Sequence, residues 1–151
     1  MVGHVAKANP QGQNFKDDQE VLAIFQGAHS YISSSWYEIE EVPTWNYIAV
    51  HVYGKLEIIE GEALWKSLKK LVDKYEQNSE NPVSMEKLSS KTLRQIKGVI
   101  GFKIKITEIQ AAYKLSQTRT DTDYQHVIDE LEKTNHADAK ATAEAMRKNR
   151  G

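Results

Sequence analysis

The sequence contains no cysteine among its 151 residues. This absence excludes disulfide bonds, thiolate zinc sites and cysteine nucleophiles. A run of about 18 apolar residues, as a membrane span needs, is also absent. Residues 1–10 lack the basic region and apolar core that are typical of a signal peptide. We therefore expect a cytoplasmic protein with no membrane segment.

Strong charge of either sign is missing as well. The formal net charge is −1, so no general electrostatic field attracts nucleic acid or an anionic membrane. Any contact with DNA would need a local patch. Hydrophobic residues make up 40% of the chain and charged residues 27%, a balance that is typical of one globular domain with a real core.

Several catalytic and phosphate-binding motifs are absent. No G-x-G-x-x-G and no G-x-x-x-x-G-K-[ST] occurs, which disfavours a Rossmann turn and a P-loop. A triad could combine Ser33–Ser35 with His29 or His51 and Glu40, but no Gly-x-Ser-x-Gly elbow positions the serine. A metal site formed by His4, His29 and His51 is disfavoured because the histidines have no ligand spacing.

The most distinctive stretch runs from residue 29 to residue 59 and holds two of the three tryptophans and two of the five histidines. From Tyr47 onward its pattern alternates, which predicts a long, half-buried β-strand over residues 45–59. Gly54 indicates a bend, a bulge or a close backbone approach within it. One face would hold Ile48, Val50 and Val52, and the other Tyr47, His51 and Tyr53. We interpret this strand as the centre of a small β-barrel.

Periodicity gives the order of the remaining elements. Strands are predicted over residues 1–8, 21–25, 29–36 and 98–115, and helices over 61–77, 84–97, from 122, and 135–148. The 21–25 strand should be short and buried, and the alanine-rich last helix should lie at a surface or interface. The helix from 122 should be opened by Thr122 and bury the stripe Tyr124, Val127, Ile128 and Leu131. The fold class is α+β: a barrel domain over 1–120, with helices 61–77 and 84–97 inserted, and a helical segment over 121–151.

Cations and hydroxyls near the predicted strand ends suggest a binding site beside the aromatic residues. They are Lys7, Ser30, Lys114, Ser116 and Arg119, and the neighbouring aromatics are Trp36, Trp45, Tyr47 and Tyr53. A planar ring could lie against the aromatics while the cations and hydroxyls hold a phosphate. The alternative is that the aromatic side chains serve packing alone.

Three motifs together resemble a known family. They are Gly3–Pro10 (GHVAKANP), Tyr31–Tyr37 with Val42–Tyr47, and Lys114–Gln117. The chain resembles the PaiB family of bacterial negative transcriptional regulators, part of the FMN-binding split-barrel group that includes pyridoxamine-phosphate oxidases. The family usually has proline where Ser34 stands, which should loosen that turn.

The resemblance also implies a difference at the front of the chain. Related chains carry a further helix and the first barrel strands before the Gly-His-x-Ala-Lys motif, and those strands contribute cofactor ligands. We therefore expect Met1 to be an internal start or a truncation point, and the split barrel to be incomplete at its N-terminus with open strand edges.

The resemblance further implies a homodimer that binds FMN at its subunit interface. Lys7 would hold the phosphate, and residues 114–119 would form a basic segment near the ring. The expected cofactor-binding residues are His4, Lys7, Trp45, Asn46, Tyr47, His51, Lys114, Ser116, Gln117 and Arg119. No catalytic or metal-binding residue is assigned.

The implied role is negative regulation of sporulation and protease genes, with direct DNA contact left open. One alternative is a flavin-dependent oxidoreductase acting on a small molecule, which we rank lower because His51 is its one obvious acid or base. Another is a non-catalytic dimeric interaction module.

Overall fold

The computed structural model describes residues 1–150 and shows an α+β fold. The strands are β1 (Val2–Ala6), β2 (Glu20–Ile32), β3 (Thr44–Ile59) and β4 (Val99–Lys114). The α-helices are α1 (Pro10–Gln13), α2 (Gly61–Glu76), α3 (Ser90–Leu93), α4 (Asp121–Lys133) and α5 (Ala137–Arg150). Short 3₁₀ turns cover Ser34–Trp36, Met85–Lys87 and Arg94–Gly98.

The strands form one sheet in the order β1-β4-β3-β2. β1 pairs antiparallel with β4, so that Val2 lies opposite Lys103 and Ala6 opposite Val99. The chain divides into two compact units. The first unit contains residues 1–22 and 53–108, and the second contains residues 23–52 and those from 109 onward.

In the first unit, helix α2 packs on the sheet through its N-terminal half. Leu64 is buried, and a Cβ atom on Gly101 would lie 2.6 Å from its Cδ1 atom and 2.9 Å from the carbonyl oxygen of Ile59. Glycine is therefore required at 101, because any side chain would push the helix and the neighbouring strand away. Gly54 is equally restricted, since its Cβ would lie 2.4 Å from the carbonyl oxygen of Lys105.

In the second unit, helices α4 and α5 pack together and form the core with the end of β2 and with the segments that follow β2 and β4. The fully or nearly fully buried members are Ile32, Tyr37, Leu115, Tyr124, Val127, Ile128, Leu131, Ala139, Ala143 and Met146. Small side chains at Ala139 and Ala143 let the two helices approach closely. Tyr124 donates a hydrogen bond to the carbonyl oxygen of Met146 at 2.6 Å, which holds the end of α5 against α4.

The predicted strand over residues 45–59 is confirmed as β3, and the close backbone approach at Gly54 is confirmed with it. Helix 61–77 is confirmed as α2. The buried stripe of α4 is also confirmed, since Tyr124, Val127, Ile128 and Leu131 are at most 3% exposed. These elements were predictable because their apolar residues repeat with a single period.

The strands predicted at 21–25 and 29–36 are confirmed as strand over 21–25 and 29–32, but their division into two strands and the burial of the first are wrong. β2 is one strand of 13 residues, and it is not buried: Ile24 is 60% and Phe25 50% exposed. An apolar run of this kind occurs both in buried strands and in edge strands that expose their apolar side chains. The local sequence therefore did not distinguish the two. The end of the second predicted strand is a 3₁₀ turn, because the Ser33 side chain accepts a hydrogen bond from the Ser35 backbone N–H.

The single helix predicted over 84–97 is also wrong. The segment consists of two 3₁₀ turns and the four-residue helix α3. Leu88 is extended, and the Ser89 side chain accepts a hydrogen bond from the Thr92 backbone N–H. Because Ser89 caps a new turn inside the apolar repeat, the segment forms separate short turns instead of one continuous helix.

The C-terminal helices differ from the prediction in two respects. Thr120 rather than Thr122 caps α4, through a hydrogen bond from the Asp123 backbone N–H. Helix α5 belongs to the core rather than to a surface, since Ala143 and Met146 are fully buried. Within residues 1–150, no helix combines the length and the apolar character that crossing a membrane requires.

Candidate functional site

An aromatic surface lies in the second unit, where β2 and β3 run side by side. The ring of His29 stacks on Trp45 with centroids 5.8 Å apart and an angle of 24° between the planes. Tyr31 meets the same indole edge-on at 6.3 Å. Trp45 is 49% exposed, so one side of its ring is open. A planar ligand could stack there.

Tyr47 and His51 extend this surface along β3. Both are half-buried and share the parity of Trp45, so they lie on the same face of the strand. The opposite face carries Val52, which is buried, and Ile48, which packs on the core of the second unit. Strand β3 therefore separates an apolar face from one that is aromatic and imidazole-bearing.

Asn46 and Ser116, two of the predicted cofactor residues, lie inside the second unit. Asn46 is fully buried, and its Nδ2 atom lies 3.0 Å from the Ser116 Oγ atom, which in turn lies 3.2 Å from Asn46 Oδ1. The amide also reaches the sulfur of Met146 at 3.5 Å. Ser116 has φ +59°, a left-handed conformation that the hydrogen bonds help to hold. These polar groups bond to each other.

Gln117 and Lys114 shape the segment that leaves β4. The Gln117 side chain accepts a hydrogen bond from the Leu115 backbone N–H at 2.8 Å and donates one to the Tyr113 carbonyl at 3.0 Å. Lys114 is exposed and its ammonium donates to the hydroxyl of Thr44. Gln117 therefore stabilises the turn, whereas Lys114 keeps an accessible positive charge.

Arg119 is held by two neighbours. Its guanidinium forms an ion pair with Glu41 and lies 4.5 Å from the centre of the Tyr37 ring. The hydrogen bond from Arg119 lowers the pKa of Glu41, and the same bond raises the pKa of Arg119. The Tyr37 hydroxyl is buried and has no partner that meets hydrogen-bond geometry. Arg119 thus joins the acidic loop after β2 to the start of α4.

His4 and Lys7 belong to the first unit, and both side chains are exposed. The backbone N–H of Lys7 donates to the Gly98 carbonyl at 2.8 Å, which fixes the end of β1. The structure therefore distributes the ten predicted residues over the two units: His4 and Lys7 in the first, and the other eight in the second.

The three histidines of the disfavoured metal site are divided between the two units: His4 lies in the first unit, and His29 and His51 lie in the second. Among residues 1–150, no group of three or more histidine or acidic side chains is arranged to hold a metal ion. In the serine run, the Ser33 and Ser35 hydroxyls lie 2.9 Å apart and bond to each other.

Sequence reasoning did not select His29 and Tyr31 as ring contacts, although both touch Trp45. It also missed Glu41 as the partner of Arg119, 78 residues away. Gly27 was a sequence signal of the close contact between β2 and β3. A Cβ atom at this position would lie 3.2 Å from the Cβ atom of Ile48.

A protein-family profile described as "Putative FMN-binding domain" matches residues 1–108. The chain belongs to this family. The "Protease synthase and sporulation protein PAI 2" of Bacillus subtilis is 51% identical over 147 residues, which are 97% of this chain and 71% of that protein. The resemblance to PaiB-like proteins is confirmed at the level of the family.

Two further proteins are similar to this member of the FMN-binding family. The uncharacterized protein YKL070W of Saccharomyces cerevisiae is 36% identical over 70 residues, 43% of this chain and 41% of its own. The flavocytochrome Anf3 of Azotobacter vinelandii superposes with a TM-score of 0.55 at 18% identity, over 82% of this chain and 55% of the flavocytochrome chain. The fold is a split barrel, as expected.

Proposed function

We propose that this protein is a PaiB-type regulator that binds FMN as a cytoplasmic homodimer and represses sporulation and protease genes. The observation that carries the proposal is the match of residues 1–108 to the FMN-binding family. Similarity to the Bacillus subtilis sporulation protein over 97% of the chain supports the biological role.

The open face of Trp45 supports the flavin part of the proposal. In this proposal the isoalloxazine ring stacks on the indole, with Tyr47 and His51 beside it on the same strand face. Exposed Lys114 of the second unit supplies positive charge and a hydrogen bond for the phosphate. When bound, FMN supplies one- and two-electron redox chemistry.

The remaining predicted residues of the second unit act by positioning in this proposal. Asn46 and Ser116 bond to each other and so link β3 to the segment that follows β4. This link fixes the backbone next to Trp45 and close to Lys114. Gln117 and Arg119 order the segment between β4 and α4 through their own hydrogen bonds and the ion pair with Glu41. Their side chains keep the neighbouring groups in place.

The flavin test uses the purified chain. Its absorption spectrum is recorded from the near ultraviolet to the blue, and FMN is titrated by flavin fluorescence. Trp45→Ala should weaken FMN binding about tenfold, since stacking on an aromatic side chain is worth about 1–3 kcal/mol. The control is Tyr75→Ala, which removes a 71% exposed ring from α2. Absence of any flavin signal, or equal losses in both variants, contradicts this part.

Exposed apolar side chains in the second unit support the homodimer. Phe25 is 50% exposed on β2, and Ile109 and Tyr113 are 59% and 57% exposed on β4, which favours a protein contact. Light scattering should give twice the chain mass, and Phe25→Glu should shift it toward the monomer. Val42→Glu, at a 71% exposed loop position, is the control and should leave the dimer intact.

Gel shifts with promoters of sporulation and protease genes test the regulatory role. Direct repression predicts binding that weakens steeply with salt, because phosphate contacts release counterions.

An oxidoreductase is the second candidate, since half-buried His51 shares the face of Trp45 and could exchange a proton there. It predicts protein-accelerated reoxidation of reduced FMN in the presence of a small-molecule acceptor, and a His51→Gln variant slower in that reaction.

A further inference from the structure

A cavity of about 950 Å³ lies in the first unit beneath helix α2. Its walls come from α2 on one side and from β1, β3 and β4 on the other. Val2, Ile59, Ala63 and Leu71 supply apolar surface to it. This volume is in the range of small-molecule sites, which span about 300–1,000 Å³.

The apolar stripe of α2 is only partly covered by the sheet. At its N-terminal end Leu64 is buried against Gly101, whereas two turns later Leu71 is 42% exposed and lines the cavity. The cavity is therefore an open cleft whose lining on α2 runs from Ala63 to Lys74. Along the helix this distance is about 16 Å, at about 1.5 Å per residue.

The rim of the cleft carries an excess of positive charge. Five lysines line it, Lys66, Lys69, Lys70, Lys74 and Lys103, against the two carboxylates Glu57 and Asp73. Three of these lysines are already paired: Lys66 with Glu62, Lys69 with Asp73 and Glu86, and Lys103 with Glu57.

Lys70 and Lys74 form no ion pair within residues 1–150, and both are exposed. They lie one helical turn apart toward the C-terminal end of α2, which we call the mouth of the cleft, and Lys74 lies 5.3 Å from the centre of the exposed Tyr75 ring. An anion at the mouth would therefore meet two uncompensated charges, while Ala63 and buried Ile59 line the cleft farther along.

We propose that this cleft binds a free long-chain carboxylate, with the carboxylate between Lys70 and Lys74 and the acyl chain along Leu71, Ala63 and Ile59. Apolar depth and a cationic mouth match this class of ligand, because the chain loses contact with water while the head group keeps an opposite charge beside it. The site goes beyond the proposed flavin function and uses none of the aromatic residues of the second unit.

The test is a fluorescence titration of the full chain with dodecanoate labelled by a nitrobenzoxadiazole group, and with its uncharged methyl ester. Reversing both charges, in Lys70→Glu/Lys74→Glu, should weaken dodecanoate binding about tenfold or more. The matched control, Lys16→Glu/Lys91→Glu, changes the net charge equally in the same unit and should stay within about twofold. Ester binding should be weaker than acid binding and insensitive to both variants.

A second variant fills the cleft without changing its charge. Ser67 is half-buried and lines the cleft, so Ser67→Trp should abolish saturable dodecanoate binding. Equal affinity in the two charge variants, or of acid and ester, would overturn the proposal.

Two further results would overturn it by assigning the cleft elsewhere. Displacement of labelled dodecanoate by FMN would place the cleft, which His4 also lines, in the flavin site. Conversion of a dimer to a monomer by Leu71→Asp would show that a second copy of the chain covers the cleft. FMN titration of the same samples distinguishes failure here from failure of the flavin proposal.

Discussion

The buried pair of Asn46 and Ser116 allows a quantitative test of how the candidate site is supported. The Asn46 amide is fully buried and bonds to the Ser116 hydroxyl at 3.0 and 3.2 Å. Replacing Asn46 with alanine removes these bonds and leaves the buried hydroxyl without its partner. The loss of a bond and the unsatisfied group together predict destabilisation by about 2–4 kcal/mol.

Ser116→Ala should cost about 1–3 kcal/mol, since the amide then retains only the weak contact with the sulfur of Met146. The double variant Asn46→Ala/Ser116→Ala should be more stable than the sum of the single effects predicts, by about 1–2 kcal/mol, because no buried polar group is left unpaired. Ser116→Gly should be less costly than Ser116→Ala by about 1 kcal/mol, since φ is +59° at this position.

Urea unfolding followed by far-ultraviolet circular dichroism measures all four variants against the unsubstituted chain. Thr118→Ala, at an exposed position, is the control and should stay within about 0.5 kcal/mol. Additive effects of Asn46→Ala and Ser116→Ala, within about 0.5 kcal/mol, would refute the coupling. Loss of FMN affinity in Asn46→Ala with unchanged stability would show that the amide contacts the flavin rather than positions its neighbours.

Other consequences of the packing can be measured in the same way. Gly54→Ala should destabilise the chain by about 2–4 kcal/mol, because its Cβ would lie 2.4 Å from the Lys105 carbonyl oxygen; unchanged urea midpoints would contradict this close approach. Ala143→Leu should cost about 1–3 kcal/mol, since position 143 is fully buried between helices, and a thermal midpoint equal to that of the unsubstituted chain would place α5 outside the core. The hydrogen bond from Arg147 lowers the pKa of Glu132 in the folded state, so its stabilising effect is complete above the unfolded pKa and is lost as pH falls through the folded one. Thermal unfolding should therefore show a shallower loss of stability in acid for Glu132→Gln, and an unchanged acid limb would argue against the pair.

The repeating hydrophobic patterns were sufficient to predict β3, α2 and the buried stripe of α4. Each depends on side chains that alternate with one period over many residues, and burial of one face then follows from the hydrophobic effect alone. The family motifs were equally local, since GHVAKANP and the Lys114–Gln117 segment are contiguous in the chain. The order of the periodic segments also predicted the α+β class.

Other features followed from contacts between distant residues, which a local pattern does not contain. The partner of Arg119 is 78 residues away, and that of Asn46 is 70. The composition of helix α5 indicates a solvent-exposed helix, yet Ala139, Ala143 and Met146 are buried because α4 presents a complementary stripe.

The sequence by itself thus determined the family, the long aromatic strand and the residues that could meet a ring and a phosphate. Only the tertiary structure decided which of those side chains are free. It buried Asn46 and Ser116 against each other, paired Arg119 with Glu41, and left Trp45 and Lys114 accessible. The physical reason is that a polar side chain bonds to whichever partner the fold brings within reach, and that partner is not encoded by its neighbours in the chain.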